Sequence, residues 1–427
     1  MKNHAFTVVF FLLIGTLNAQ EAKGIVGESN WFNNWTSFDP KNEIYREPTQ
    51  VIDSIITTDL VLRRNYTYLL KGVVYVTNNA VLTIEPGTVI RGDYNTCGTL
   101  VVTKGAKLIA QGTEFEPIVF TSNKESYNKR PGDWGGIIIL GDAPINKLGG
   151  ISHLDFNLDR KYNLFGGNNA SDNSGVLKYV RIEFAGRKLN SSKELNALSL
   201  AGVGNQTEVS YVQVSFSNDD SFEGYGGNLA MNHLISYRAT DDDFDFTLGA
   251  QVDIKNSIAV RYPFSSDISV SRCFEIDSYD KIDNFDFNRN LTNVKASNMT
   301  LVNNESNMQG LVNEAVFVDE NSFFTLNNSV VSGFDSFMKF NKKVIEDKHL
   351  DKIKVANITV HNCENNVVSE TGYDAESQLK NWAKMNSSAV NLSNAKGVDI
   401  FIDSNVKHSP DFRLKQNNTS GYSISSK

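Results

Sequence analysis

The feature that most constrains this chain is a short β-strand that recurs along it at variable spacing. Residues 210–223 (SYVQVSFSNDDSFE) align with residues 232–245 (NHLISYRATDDDFD) at an offset of 22. An earlier echo of Leu82–Gly87 in Leu100–Gly105 has an offset of 18. Later apolar runs start 42, 30 and 29 residues apart, and each begins with asparagine: Asn256, Asn298, Asn328 and Asn357. A similar strand that recurs at a variable spacing is typical of stacked coils whose loops differ in length.

This pattern predicts a parallel β-helix. Side chains alternate across a strand, so the Val, Leu and Ile at every second position of each run face a common core. Strands that repeat in the same sense stack in parallel, and the Asn-Gly signals of tight hairpins are absent from the sequence. Asparagine at a repeated turn can adopt the left-handed conformation and bond to the adjacent coil. The alternative is a large β-sandwich with chance similarity between strands.

The 427 residues exceed what one ordinary globular core needs, so we divide the chain into segments. Residues 1–20 have the features of a signal peptide, with Lys2 before an apolar stretch. Residues 21–59 carry several aromatic side chains and are expected to form a cap over the N-terminal end of the solenoid. Residues 60–405 form the β-helix, with a short helical insertion at 374–385, and residues 406–427 form a polar tail.

Charge and cysteine content limit the partners. The net charge is −8 and the sequence has no strongly basic run, which argues against nucleic acid. No second long apolar run follows the signal peptide, so we expect no transmembrane segment in the mature chain. The three cysteines, Cys97, Cys273 and Cys363, do not form a disulfide framework. They are predicted to be buried thiols, or one disulfide with one free thiol.

Four runs resemble a group of secreted right-handed parallel β-helix proteins from Bacteroidetes-type bacteria. They are YLLKGVVYVTNNAVLTIEPGTVIRG (68–92), LVVTKGAKLIAQGTEFEPIVFTS (100–122), DWGGIIILGDAPIN (133–146) and SGVLKYVRIEFAG (174–186). The resemblance covers residues 50–260. It implies an all-β, right-handed solenoid that is exported to the periplasm, the cell surface and outer membrane, or the medium. It implies no reaction.

The best candidate site is a set of carboxylates on two aligned coils. With the offset of 22, Asp219 stacks on Asp241, Asp220 on Asp242, Phe222 on Phe244 and Glu223 on Asp245, and the alternation predicts that both Phe rings point inward. Like charges that face each other across neighbouring strands are destabilising unless something offsets them. Ca²⁺ does so, because it takes six to eight oxygen ligands. The candidate metal ligands are Asp219, Asp220, Glu223, Asp241, Asp242, Asp243 and Asp245. The alternatives are a solvated acidic turn and a catalytic site.

The catalytic alternative comes from the paired aspartates, which look like those of polygalacturonases. That family also has a Gly-His-Gly and an Arg-x-Lys, and this chain lacks the first and has Arg261-Tyr-Pro in place of the second. A lyase would need a basic residue beside a Ca²⁺-bound uronate, and Arg238, Lys255 and Arg261 could face the same groove.

We therefore predict a non-catalytic secreted or cell-envelope β-solenoid, with a structural cation, that binds or scaffolds a polysaccharide, another glycan or an envelope protein. The alternative is a carbohydrate-active β-helix enzyme, a lyase or glycoside hydrolase, on acidic polysaccharide. An enzyme should have basic and aromatic side chains that converge on the carboxylates, whereas a scaffold should have a plain polar surface. Fold alone does not separate the two.

Overall fold

A computed structural model describes residues 23–191, 193–264, 270–279, 281–303, 311–346, 349–370, 376–386, 390–393 and 400–415. The predicted signal peptide and residues 416–427 lie outside this described part. Its strands stack in parallel into a solenoid whose coils have three faces. Face 1 is an eleven-stranded sheet, and faces 2 and 3 join at a sharp corner to form a nineteen-stranded sheet.

Each face is a column of short strands. The strands of face 1 are Ile55–Ile56, Val73–Val76, Thr99–Val102, Gly136–Leu140, Leu198–Ala201, Phe222–Tyr225, Phe244–Thr247, Phe274–Ile276, Glu314–Val318, Ser336–Phe340 and Asn365–Ser369. Face 2 contains Leu60–Leu62, Val81–Ile84, Lys107–Gln111, Gln251–Lys255, Asn293–Ser297, Phe323–Asn327 and Ile353–Ala356. Face 3 contains Gln50–Val51, Thr67–Leu70, Val89–Gly92, Ile118–Ser122, Ile258–Arg261, Thr300–Asn303, Val330–Ser332, Ile358–His361 and Val390–Ser393. Three long strands run through faces 2 and 3: Gly175–Glu183, Glu208–Ser215 and Asn228–Tyr237.

The strand register confirms most of the repeat found in the sequence. Phe222 pairs with Phe244 at the offset of 22. The three later spacings of 42, 30 and 29 are those of the face 3 pairs from Ile258 to Thr359. The offset of 18 is not a coil: Leu82 pairs with Leu108, and Leu100 belongs to another face. The two aligned strands belong to adjacent faces, and their sequences are similar because both have alternating apolar residues before a turn.

Loops of different length between the strands account for the variable spacing of the repeat. Two antiparallel pairs lie in loops, Ser152–His153 with Leu164–Phe165 and Lys188–Asn190 with Lys193–Glu194. The helices are Lys342–Glu346 and Glu376–Met385, with 3₁₀ turns at Ser126–Asn128, Leu148–Gly150, Ile282–Asn284 and His349–Lys352. The second helix confirms the predicted C-terminal insertion. Trp382 is buried, and its indole donates to the Ile353 carbonyl at 3.3 Å.

A ladder of left-handed residues forms the corner between faces 2 and 3. Asn256, Asn298, Asn328 and Asn357 have φ between 49° and 56°, as predicted for the recurrent asparagine. The Asn357 amide donates to Asn328 Oδ1 at 2.8 Å. In the earlier coils the same corner holds Tyr179, Tyr211 and His233, also at positive φ, and these rings stack at 4.6 and 4.3 Å.

His233 joins the two parts of this ladder and gives a pH-dependent prediction. Its Nδ1 lies 2.7 Å from Asn232 Oδ1, and its Nε2 accepts from the Asn256 amide at 2.6 Å. Burial lowers the pKa of His233 from 6.5 to about 4, so the folded state keeps the ring neutral. The unfolded chain therefore binds more protons between these values, and stability falls as pH decreases from about 6.5 to about 4.

The variant His233→Asn, which continues the asparagine ladder, should remove this loss. We expect the wild type to lose about 1 kcal/mol more than the variant across this pH range, since partial solvent exposure of the ring reduces the effect. Urea unfolding at several pH values measures the difference. Parallel pH profiles for the two proteins would contradict the assignment.

The N-terminal segment, residues 23–49, is a strap along the outside of face 3. The sequence predicts a cap of residues 21–59 over the N-terminal end of the solenoid, but the first coil begins at Gln50 and the strap runs lengthwise from the last coils back to it. Face 3 turns apolar side chains outward, and these pack with buried Phe32, Trp35 and Phe38. The strap contacts, in chain order, are Gly24 with Asn328, Val26 with Asn256, Ser37 with Gln213, Glu43 with Arg181 and Glu47 with Arg91.

The C-terminal residues also join this outer layer. Strand Phe401–Asp403 pairs with strand Asp411–Leu414 in antiparallel fashion. Phe412 is fully buried and lies 6.4 Å from Phe32, ring centre to ring centre. The predicted polar tail at 406–427 therefore contains a packed strand in its first ten residues.

Candidate functional site

The acidic cluster lies where the chain turns from face 3 onto face 1. We use this name for Asp219, Asp220, Glu223, Asp241, Asp242 and Asp245. Strands Phe222–Tyr225 and Phe244–Thr247 are neighbours on face 1, and the aspartates directly precede them. Phe222 and Phe244 point inward and stack at 5.3 Å, as predicted from the alternation. Glu223 and Asp245 therefore point outward from adjacent coils.

Two sets of three carboxylates come close enough to share an ion. One oxygen each from Asp219, Asp220 and Asp241 lie within 4.8 Å of one another, and so do oxygens from Asp220, Glu223 and Asp245. Asp220 belongs to both sets, so it is the centre of the cluster. The carboxylates are close together because the offset of 22 places equivalent residues on adjacent coils.

Crowding and burial shift the titration of these groups strongly. Burial raises the pKa of Glu223 to about 8, although Tyr225 and Asn196 donate hydrogen bonds that oppose the shift. Burial, followed by repulsion from Asp219 and Asp241, raises the pKa of Asp220 well above its usual value. The carboxylates are therefore unstable as a set of bare charges, and they need protons or a cation.

Two buried oxygen atoms, one in the cluster and one beside it, lack hydrogen-bond partners. Oδ1 of Asp245 is buried without one, and so is the side-chain carbonyl oxygen of Asn196, a residue that is only 2% exposed. The Asn196 amide donates to Glu223 and lies 3.2 Å from the Tyr225 hydroxyl, so the side chain is held against the cluster. Buried oxygens without donors fit a cation better than a solvated turn, since each would otherwise lose its hydration without compensation.

Asp242 connects the cluster to a neighbouring ion-pair network that the sequence did not reveal. Its Oδ1 accepts the backbone N–H of Arg272. The Arg272 guanidinium pairs with Glu275 and with Glu314, the latter at 3.0 Å, and lies 4.4 Å from the Phe317 ring centre. Burial, and then the negative charge of Glu275, raise the pKa of Asp242. The strand register places Glu275 opposite Asp245, at an offset of 30. The longer loop between their strands conceals this repeat in the sequence.

Asp243, a predicted ligand, does not belong to the cluster. Its carboxylate points into the solenoid, is fully buried, and pairs with the fully buried Arg261 at 3.0 Å. Ser236 also donates to it. Asp243 lies in a bend just before strand Phe244–Thr247, so the alternation that turns Asp245 outward does not apply to it, and the buried Arg261 makes its inward position tolerable.

The three basic residues proposed for a lyase do not converge on the carboxylates. Arg261 is inside the solenoid, and its Nη1 also donates to the Arg272 carbonyl at 2.7 Å. Lys255 is on the outer surface of face 2, where it pairs with Asp253 at 2.8 Å. Arg238 lies over the Tyr262 ring at 4.5 Å. The prediction of a shared basic groove for these residues is therefore not met.

The arrangement suits an ion more than inverting hydrolysis. Inverting glycosidases keep their two carboxyl groups about 6.5–9.5 Å apart to admit a water molecule. The two sets around Asp220 are tighter than that, whereas Ca²⁺ gathers carboxylate and amide oxygens at 2.3–2.6 Å. Residues that could hold such an ion are Asp219, Asp220, Glu223, Asp241 and Asp245, with the side-chain oxygen of Asn196.

These coils and faces define a parallel β-helix protein of the right-handed class. The family model for the pectate-lyase-like β-helix domain matches residues 54–401, and the chain belongs to this family. A search of curated proteins and a search of solved structures return no match.

In the described residues, no helix is long and apolar enough to cross a membrane. All three cysteines are free thiols, with Cys273 fully buried and the other two half-buried.

Proposed function

We propose that the chain is an exported, non-catalytic β-solenoid that binds glycan and holds a Ca²⁺ ion in the acidic cluster. The observation that carries the proposal is the pair of carboxylate sets that meet at Asp220, with the unpartnered Asp245 Oδ1 among them. A divalent ion there would link adjacent coils through Asp219 and Asp241. Membership of the pectate-lyase-like family supports a role with polysaccharide.

The proposal predicts that Ca²⁺ stabilises the folded protein. An ion at about one hundred times its dissociation constant adds about 2.7 kcal/mol, and the midpoint of thermal unfolding should rise by several degrees over the value in EDTA. The isosteric variant Asp220→Asn should lose most of this rise. In EDTA it should unfold at a higher temperature than the wild type, because it removes one of the repelling charges.

The matched control is Asp253→Asn, which removes a carboxylate from face 2, away from the turn between faces 3 and 1. Asp253 is half-exposed and paired with Lys255, so this variant should keep the full Ca²⁺ response. A wild-type midpoint that ignores Ca²⁺, or an Asp220→Asn protein that responds like the wild type, would reject the cation site.

A lyase acting on acidic polysaccharide is the second candidate. The observation in its favour is the Arg272 guanidinium at the edge of the acidic cluster, although Glu275 and Glu314 already pair with it. Incubation of the Ca²⁺-loaded protein with polygalacturonate, followed by the ultraviolet absorbance of unsaturated products, separates the two candidates. Turnover that Arg272→Gln abolishes would favour the enzyme.

A further inference from the structure

A second polar site lies beside the acidic cluster and has the opposite charge. It is an open groove of about 600 Å³ between the turns that follow strands Ile118–Ser122, Gly175–Glu183 and Glu208–Ser215. Its walls carry four cations, Lys124, Arg130, Arg187 and Lys188, and one carboxylate, Asp133, while Asn218, the neighbour of Asp219 in the sequence, also lines it. A groove lined by four cations is unexpected on a chain whose net charge is −8.

Two of these cations have no carboxylate partner in the described part of the chain. Arg130 Nη1 donates to the carbonyl oxygens of Tyr127 and Lys129, at 3.0 and 2.8 Å. Arg187 Nη1 donates to the Gly132 carbonyl at 3.3 Å. The other two cations are paired, Lys124 with Asp133 and Lys188 with Glu194. Backbone carbonyls thus orient both guanidinium groups and leave their charges without a counter-charge.

An aromatic ring brings two of the cations, Lys124 and Arg187, together. Tyr94 is 37% exposed, and Lys124 Nζ and the Arg187 guanidinium carbon lie 3.5 and 4.5 Å from the centre of its ring. These cation–π contacts fix the positions of the charges without neutralising them. Guanidinium groups held in this way bind the oxygens of carboxylate or sulfate groups, often in a bidentate manner.

We infer that this groove binds a glycan chain through its oxyanion substituents, carboxylate or sulfate. The inference rests on the proposed glycan binding and deepens it, because it names an anionic glycan and assigns its recognition to Arg130 and Arg187. A groove of this volume suits a few sugar units. Asn190 and Asn218 line the same groove, and the Asn218 amide donates to Glu194 at 2.5 Å. Recognition here needs no cation in the acidic cluster.

The test is a binding titration of the full chain in EDTA, which separates it from the cation proposal. The probes are polygalacturonate, dextran sulfate, neutral dextran and poly-glutamate. We expect binding to at least one of the two anionic glycans, no binding to dextran, and an affinity that falls as salt rises. The better of the two glycans identifies the substituent.

The double variant Arg130→Gln, Arg187→Gln should weaken that binding by at least about tenfold. The control is Arg63→Gln, Arg64→Gln, which removes the same charge from exposed arginines paired with Glu85 and Glu116. It should keep the wild-type affinity, and unchanged unfolding midpoints verify that both variants fold. Failure to bind either anionic glycan, equal binding of poly-glutamate or dextran, or an unchanged affinity in the groove variant would overturn the inference.

Discussion

Replacing Arg261 with alanine should lower the free energy of unfolding by about 3–5 kcal/mol, because it leaves the Asp243 carboxylate inside the solenoid without its counter-charge. Both side chains are fully buried, 3.0 Å apart. Burial raises the pKa of Asp243 even with Arg261 beside it, so loss of the guanidinium leaves a carboxylate that is costly to keep charged. Urea unfolding of wild type and variant at neutral pH measures the difference.

The surface pair offers the matched control. Lys255 and Asp253 form an ion pair of similar length, 2.8 Å, but both are half-exposed or more. Lys255→Ala should therefore change stability by less than about 1 kcal/mol. A double variant with apolar residues, Arg261→Met with Asp243→Leu, should recover most of the loss, since Nε and Nη2 of Arg261 are buried without partners. A loss below about 1 kcal/mol in Arg261→Ala would show that the interior pair is not sealed from water.

Trp35→Ala should cost about 3–5 kcal/mol and release the strap. Trp35 is fully buried between the strap and face 3, with ring centres 5.8 Å from Tyr179 and 6.1 Å from Tyr211. Its indole also donates to the Trp31 carbonyl at 2.7 Å, which fixes the turn of the strap. Thermal unfolding reports the stability, and limited proteolysis reports cleavage within residues 23–49.

Phe115→Ala is the control for this prediction, because Phe115 is also a large aromatic residue but is 76% exposed. It should alter stability by less than about 0.5 kcal/mol and leave the strap resistant to protease. If Trp35→Ala behaves in the same way as Phe115→Ala, the aromatic packing does not hold the strap to face 3.

Local repetition made the β-helix and the position of the acidic cluster predictable. Strand alternation placed Phe222 and Phe244 inward, and the offset of 22 placed Glu223 beside Asp245. The recurrent asparagines marked a left-handed corner because few other residues tolerate that conformation. Each of these inferences needs only neighbouring coils and residue types whose backbone preferences are strong.

The parts that escaped prediction depend on contacts between distant segments. Nothing in residues 23–49 indicates that they lie along face 3. The outward apolar side chains of face 3 that pack against the strap are, in the sequence, indistinguishable from residues of the solenoid core. Arg272 and Glu314 join the edge of the acidic cluster through loops of different length, which break the alignment. The sequence predicts a surface position for Arg261 because charged residues are rarely buried, and only the facing Asp243 makes its burial tolerable.

The strap changes how a solenoid of this kind can unfold. Coils that touch only their neighbours behave as a one-dimensional array, in which the ends open independently of the middle. Here one segment crosses coil after coil, and Lys23 reaches Thr359, 336 positions later in the chain. Loss of any coil beneath it removes part of its binding surface, so separate openings become coupled into one transition. The same link delays completion of folding, because the first residues of the strap have no docking surface until the last coils have formed.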